Sequence, residues 1–248
     1  MTGWLDPIIA DLVELAVPAL YNIYFALASI PLGFVLAILL ALGKASRNSL
    51  ISRLSRAYIY AFRGSPFFIQ LFFVYALALS LNLSLWQPLG IDWLVLHPLF
   101  LGPLVLTLNT TAYTAEIFYG ALRAVPRGEL EAGRAFGMTR GQLFAAVTWP
   151  NLIRIAWPAY TNEVVFLFQA TALIYFTLPV IGDQQDLMNR AGELFEGDYN
   201  VLLHFGAAAL YFLAISLLIV GTFNAVYRHL MRHMQVASPG LGFRLLRR

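Results

Sequence analysis

Five apolar runs, at roughly residues 17–43, 57–81, 98–120, 152–180 and 202–227, constrain this chain more than any other feature. Each is about 20 residues or longer, the length an α-helix needs to cross a hydrocarbon core. Composition removes the alternative of a water-soluble globule. Hydrophobic residues make up 60% of the chain and charged residues 12%, about half the charged fraction of a soluble domain. A globule of this sequence would carry an improbably apolar surface. The expected class is an all-α membrane protein with about five transmembrane helices.

Charge sets the expected orientation. Lys44, Arg47, Arg53, Arg56 and Arg63 cluster around the first connection, and Arg123, Arg127, Arg134, Arg140 and Arg154 around the third. Arg228, Arg232, Arg244, Arg247 and Arg248 follow the last run. The other connections carry Asp92 in one case, and Asp183, Asp186, Glu193, Glu196 and Asp198 beside a lone Arg190 in the other. The positive-inside rule puts the basic connections in the cytoplasm, the N-terminus outside and the C-terminus inside. No Lys or Arg precedes Lys44, so the charged start of a signal peptide is missing. Residues 1–16, with Asp6, Asp11 and Glu14 among apolar positions, read as an amphipathic lead-in at the membrane surface. Residues 1–230 then form one transmembrane domain, and 231–248 a basic cytoplasmic tail.

Two acids stand out within the runs. An ionisable group at membrane depth is costly and faces protein or a water-filled path. Glu116 reads as a packing ion pair, with Arg63 or Arg123 as partner, or as a transport group. Glu163 has Asn162 beside it, and Gln169 follows Asn162 by seven residues, close to one helical face. Thr171 and Thr177 extend this polar content. The stripe faces either a substrate path or a partner helix. Pro18, Pro31, Pro158 and Pro179 fall in or near the runs and are candidate kinks.

Catalytic and metal chemistry have no sequence support. There is no cysteine, and His97, His204, His229 and His233 are scattered. Gly43-Lys44-Ala45-Ser46 lacks the earlier glycine of a phosphate loop and has Ala45 where a magnesium-binding hydroxyl is needed. No nucleophile elbow is present. The chain reads as a non-enzyme without a cofactor of its own, so any energy source is a separate subunit.

A charged insert near residues 126–150, with about two helical turns of polar sequence at Glu131–Gly137, interrupts the apolar pattern. Pro126 is placed to start a helix, with Glu129 and Glu131 near its positive end. Gly137 is placed to stop it, and Thr139 to cap the next turn. Ala132, Ala135 and Phe136 supply an apolar edge for a partner.

This insert resembles the EAA loop of ATP-binding-cassette (ABC) importer permeases, with pattern E-A-A-x3-G-x9-I-x-L-P. Glu131, Ala132, Gly137 and Pro150 match at the family spacing, while Gly133, Val147 and Trp149 replace Ala, Ile and Leu. Arg63-Gly64-Ser65-Pro66 with Gln70-Leu71-Phe72-Phe73 resembles the R-G-T-P and Q-L-F-F segments of polar amino acid permeases. Asn109-Thr110-Thr111-Ala112-Tyr113-Thr114-Ala115-Glu116-Ile117-Phe118 is similar to that family's N-T-A-A-Y-x-A-E-I-F run, and Asn162-Glu163 to its N-E pair. These four motifs span most of the chain, and the nearest branch carries basic amino acids, histidine and opines. The chain departs from that pattern at Ala170, where relatives have an intramembrane acid, and at Tyr119, where an Arg is common.

The resemblance implies a type I ABC importer permease in a bacterial inner membrane, multi-pass. It implies an ABC ATPase dimer that binds ATP and magnesium, a second permease subunit, identical or homologous, and an external solute-binding protein. Membrane lipid is the other expected partner, and nucleic acid is not expected. Glu131, Ala132, Gly133, Gly137, Val147 and Pro150 become the ATPase-coupling candidates. Asn162, Glu163, Gln169 and Thr171 become the substrate-path candidates, with Glu116 and Arg63 structural. The cargo is a polar, chiefly basic, amino acid. Alternatives are an opine or other derivative, a secondary carrier, or a polytopic protein without a transport role.

Overall fold

The computed structural model describes residues 6–180 and 184–231. Asp183 of the acidic connection, the first five residues and the basic tail from residue 232 lie outside the described residues. Among the described residues, every regular element is a helix. The principal elements are α1 (Asp6–Lys44), α2 (Ser49–Arg63), α3 (Phe67–Ser80), α4 (Asp92–Val95) and α5 (Pro98–Ala124). They continue with α6 (Arg127–Ala135), α7 (Arg140–Leu143), α8 (Trp149–Ala170), α9 (Leu187–Asp198) and α10 (Val201–Met231).

α1 and α5 form the spine of the bundle. At Gly33 a Cβ would stand 2.6 Å from Thr110 Cγ2, so only a glycine admits α5 this closely. Around that contact, Phe25, Val105, Leu106 and Phe168 make one buried cluster, and Ala37, Phe118, Tyr160 and Val164 another. A third cluster, with Leu15, Leu187 and Ala207, joins α1, α9 and α10. Pro103 lies inside α5 and cannot donate to Leu99 O. Tyr24 from α1 supplies the missing donor, its hydroxyl 2.8 Å from that carbonyl.

Three expectations are corrected. The lead-in does not lie apart on a membrane surface, because α1 runs unbroken from Asp6. Two of its acids, Asp11 and Glu14, serve as contacts between helices. Asp11 Oδ2 stands 2.7 Å from His204 Nδ1, and Glu14 pairs with Arg190 at 3.1 Å. The second run is not one straight span. It is α2 and α3, bent by 104°. Pro66 has no N–H and pushes Ser65 out of helical conformation. A Cβ on Gly64 would lie 2.7 Å from Tyr60 O, which keeps the bend tight. The fourth run leaves regular α-helix at Ala170, and a short 3-10 turn, Thr171–Leu173, follows. There the Thr171 hydroxyl donates to Phe168 O at 2.6 Å, a local bond that competes with the helical ladder.

By length and composition, α1 and α10 are suited to cross a membrane, and the bent α2–α3 pair makes a third span if taken as one. α5 carries the longest run of buried hydroxyls, Thr107, Thr110, Thr111 and Thr114, facing the interior beside α8.

α9 packs against α1 by a buried polar junction. Asn22, fully buried, donates to Thr171 Oγ1 and accepts from Leu187 N, both at 2.9 Å. Asp186 caps α9 by accepting from Met188 N and Asn189 N. Burial pushes its carboxyl up to about 6.

Candidate functional site

Three of the motif segments, far apart in sequence, meet at one cavity. A cleft of about 420 Å³ opens between the start of α3, the middle of α5 and α8, with Asn109, Tyr113, Asn162 and Glu163 as its polar lining. Phe67, Leu106 and Phe166 supply apolar walls. Glu163 is half-buried and accepts a 3.0 Å hydrogen bond from Thr110 Oγ1 on α5. Apolar walls with a few fixed polar groups are the usual composition of a small-molecule site.

The bend in the second run positions this cleft. Gln70 Nε2 reaches Phe62 O at 2.6 Å, and Ser65 O and Ser65 Oγ at 2.9 Å each. Its oxygen accepts from Asn109 Nδ2 at 2.8 Å. One side chain therefore fastens the elbow and orients a cavity amide. Gln70 and Asn109 stood in the quoted motifs without an assigned role, and nothing in local periodicity pairs them.

The structure separates the four expected path residues. Asn162 and Glu163 line the cleft. Gln169 instead lines a second cleft of about 500 Å³ with Met188, Phe205 and Phe212. Seven residues advance a helix by about 700°, which turns Gln169 about 20° away from Asn162 on the side opposite Glu163. Thr171 is fully buried and bonded to Asn22.

Glu116 pairs chiefly with Lys44, whose Nζ stands 2.5 Å from Oε2, while Arg63 lies at 3.9 Å. Lys44 was not among the expected partners. Arg123 stacks over the Tyr119 ring instead, 6.0 Å from its centroid.

The segment between α5 and α8 forms a two-helix knob. α6 ends in a Schellman motif, with Met138 N donating to Gly133 O at 3.1 Å and Gly137 N to Arg134 O at 2.9 Å. Gly137 takes φ of +77°, a conformation that disfavours side chains. Thr139 then caps α7 in a capping box with Gln142. Gly133 is buried, and a Cβ there would meet Leu143 Cδ1 at 2.5 Å, with Met138 and Val147 close behind. Gly133 and Val147 thus belong to the knob's inside, and Glu131, Ala132 and Gly137 to its exposed surface. Pro150 sits in the first turn of α8. The next residue, Asn151, donates to Glu129 and pins the knob to that helix. Phe136, at the tip, is 85% exposed.

Apolar helices around a cleft with a few fixed polar groups, and an exposed, internally braced knob between two of them, define a transport-type membrane component. The chain belongs to the family of binding-protein-dependent transport system inner membrane components, whose family model matches residues 29–236. It is 35% identical over 214 residues to the histidine/lysine/arginine/ornithine transport system permease HisM of Salmonella typhimurium, covering 86% of this chain and 88% of that protein. It is 33% identical over 202 residues to the octopine transport system permease OccM of Rhizobium radiobacter, covering 80% and 78%. In fold it resembles a crystal structure of an amino acid ABC transporter with histidines, at TM-score 0.69, 23% identity and coverage of 92% of this chain and 96% of that one.

Proposed function

We propose that this chain is the permease subunit of an ATP-driven importer of polar amino acids, basic ones above all. It sits multi-pass in a bacterial inner membrane with about five spans, α5, α8 and the apolar α3 beside α1 and α10. Its N-terminus faces outward and the knob and C-terminus face the cytoplasm. A partner ABC ATPase dimer binds ATP and magnesium. A second permease, identical or homologous, completes the path, and an external solute-binding protein delivers the cargo.

One observation carries the coupling role: the knob is braced from within by Gly133, Leu143 and Val147 yet presents Phe136 outward. A rigid knob with an exposed aromatic tip suits insertion into a partner's groove. Glu163 carries the substrate class, since a carboxylate among apolar walls attracts an ammonium or guanidinium strongly once water is excluded. The similarity to the octopine permease favours a second cargo class, opines. The test is co-purification of the full chain with the ATPase encoded beside it, followed by ATP-driven uptake in proteoliposomes. Stable association and uptake of arginine or histidine support the reading. An assembled chain that binds no ATPase contradicts it.

A further inference from the structure

We propose that α2 is a membrane-surface helix whose basic face, closed by Lys44 and Arg123, holds the phosphate of an anionic phospholipid. This rests on the chain being membrane-embedded, and not on the identity of its cargo.

α2 turns 104° away from α3, so the two halves of the second run do not share a direction. Three stripes run along α2. Ser52, Ser55 and Ile59 are buried against the bundle. Leu50 and Leu54, each 63% exposed, lie on the far side. Arg53, Arg56 and Arg63 fall between them, since 56 and 63 are seven positions apart and 53 is one turn earlier. A helix with an exposed apolar stripe beside a basic one is the pattern of a segment lying in a headgroup layer.

The basic stripe opens on a cavity of about 970 Å³ lined by Lys44, Arg56, Arg63, Arg123, Glu116 and three tyrosines. Four cations against one carboxylate leave a formal charge of +3. Glu116 is taken by Lys44, with Arg63 at the margin. Among the described residues no carboxylate lies within ion-pair distance of Arg56 or Arg123. Tyr119 lies under Lys44 at 4.3 Å and under Arg123 at 6.0 Å, which holds both cations toward the cavity. A phosphate accepts from two guanidinium groups at once. Basic pockets between membrane helices on the cytoplasmic side select anionic headgroups for this reason. The neighbouring Leu50 and Leu54 give the acyl chains an apolar surface, which a soluble anion would leave uncovered.

The test is native mass spectrometry of the full-length chain in its purified complex, equilibrated with an equimolar mixture of phosphatidylglycerol and phosphatidylcholine. Each cation near the surface contributes about 1 kcal/mol. Arg56→Gln is therefore expected to lower the preference for phosphatidylglycerol about fivefold, and Arg56→Gln with Arg123→Gln about thirtyfold. Arg53→Gln, on the same stripe but outside the cavity, is expected to lower it less than Arg56→Gln does. Inorganic phosphate at millimolar concentration is expected not to displace the lipid. Equal retention of the two lipids, displacement by phosphate, or an unchanged preference in Arg56→Gln would each overturn the proposal. So would loss of lipid binding whenever the ATPase or a second permease is attached, which would assign this face to a protein. If the double variant does not assemble, the single Arg56→Gln carries the test, because that residue is exposed and makes no ion pair among the described residues.

Discussion

Asn109 on α5 donates a 2.8 Å hydrogen bond to Gln70 at the start of α3, and Gln70 is the same residue that fastens the Gly64–Pro66 elbow. The shape of the elbow and the lining of the cleft are therefore one mechanical unit. Replacing Gln70 with Leu keeps the bulk and removes every one of these bonds. Each net hydrogen bond contributes about 1 kcal/mol, and the orphaned Asn109 amide and Phe62 carbonyl add a penalty. The expected outcome is a loss of about 2–4 kcal/mol, read as a lowered unfolding midpoint in detergent, with uptake reduced. A midpoint equal to that of the parent protein would contradict the linkage.

Gly137 tests the knob. A side chain at its φ of +77° costs about 1–2 kcal/mol, more for a β-branched residue. Gly137→Val is expected to disrupt the Schellman turn and weaken ATPase association at least tenfold, measured by pull-down. Only this local backbone strain should reach the stability of the bundle, a loss of about 1–2 kcal/mol or slightly more, since nothing lies within 4 Å of an added Cβ there to clash. Normal ATPase binding in this variant would show that knob geometry does not govern docking.

Much of this arrangement was legible in the chain and some was not. Gly137 as a helix stop and Thr139 as a cap follow from local turn chemistry, and both stand where that chemistry puts them. The elbow was hidden inside an apolar run, because hydropathy reports burial in lipid and is blind to direction. The Lys44–Glu116 pair and the Asn22–Thr171 bond join residues 72 and 149 positions apart. No periodicity encodes such pairings. They arise only when α1 docks on α5 and α8. Gln169 shows the reverse failure, where a 20° drift over two turns, read as one face, spans two separate clefts.

Asp186 gives the junction of α1 and α9 a pH dependence. Its carboxyl is raised from an ordinary 3.8 to about 6 by burial, so the folded state holds the proton more tightly than the unfolded chain. Between about pH 4 and pH 6 the folded state binds more protons, and stability falls as pH rises through that window. Above about pH 6 the full cost is present. Asp186→Asn keeps an Oδ1 to cap α9 and removes the charge. It is expected to flatten that window and to raise stability at neutral pH by at most about 3 kcal/mol. A neutral-pH midpoint below the parent's would show that the carboxylate is needed.

Orientation can be checked with introduced cysteines, because the chain has none of its own. Glu196→Cys on α9 is expected to react with a membrane-impermeant maleimide in intact cells. Gly141→Cys in the knob is expected to react only after permeabilisation. The opposite pattern would invert the bundle and detach the knob from any cytoplasmic ATPase.

The central claim is that the Glu163 carboxylate meets the cargo in the cleft between α3, α5 and α8. The competing account is that its bond to Thr110 merely joins two helices. Glu163→Gln retains an acceptor for Thr110 and removes the charge, so the decisive measurement is ATP-driven uptake of arginine by the reconstituted transporter carrying this variant. A charged contact of this kind contributes about 1.5–3 kcal/mol. The account predicts arginine uptake lowered about ten- to hundredfold, with assembly and basal ATPase activity unchanged. Arginine kinetics identical to those of the parent transporter would contradict it, and loss of assembly would return Glu163 to a purely structural role.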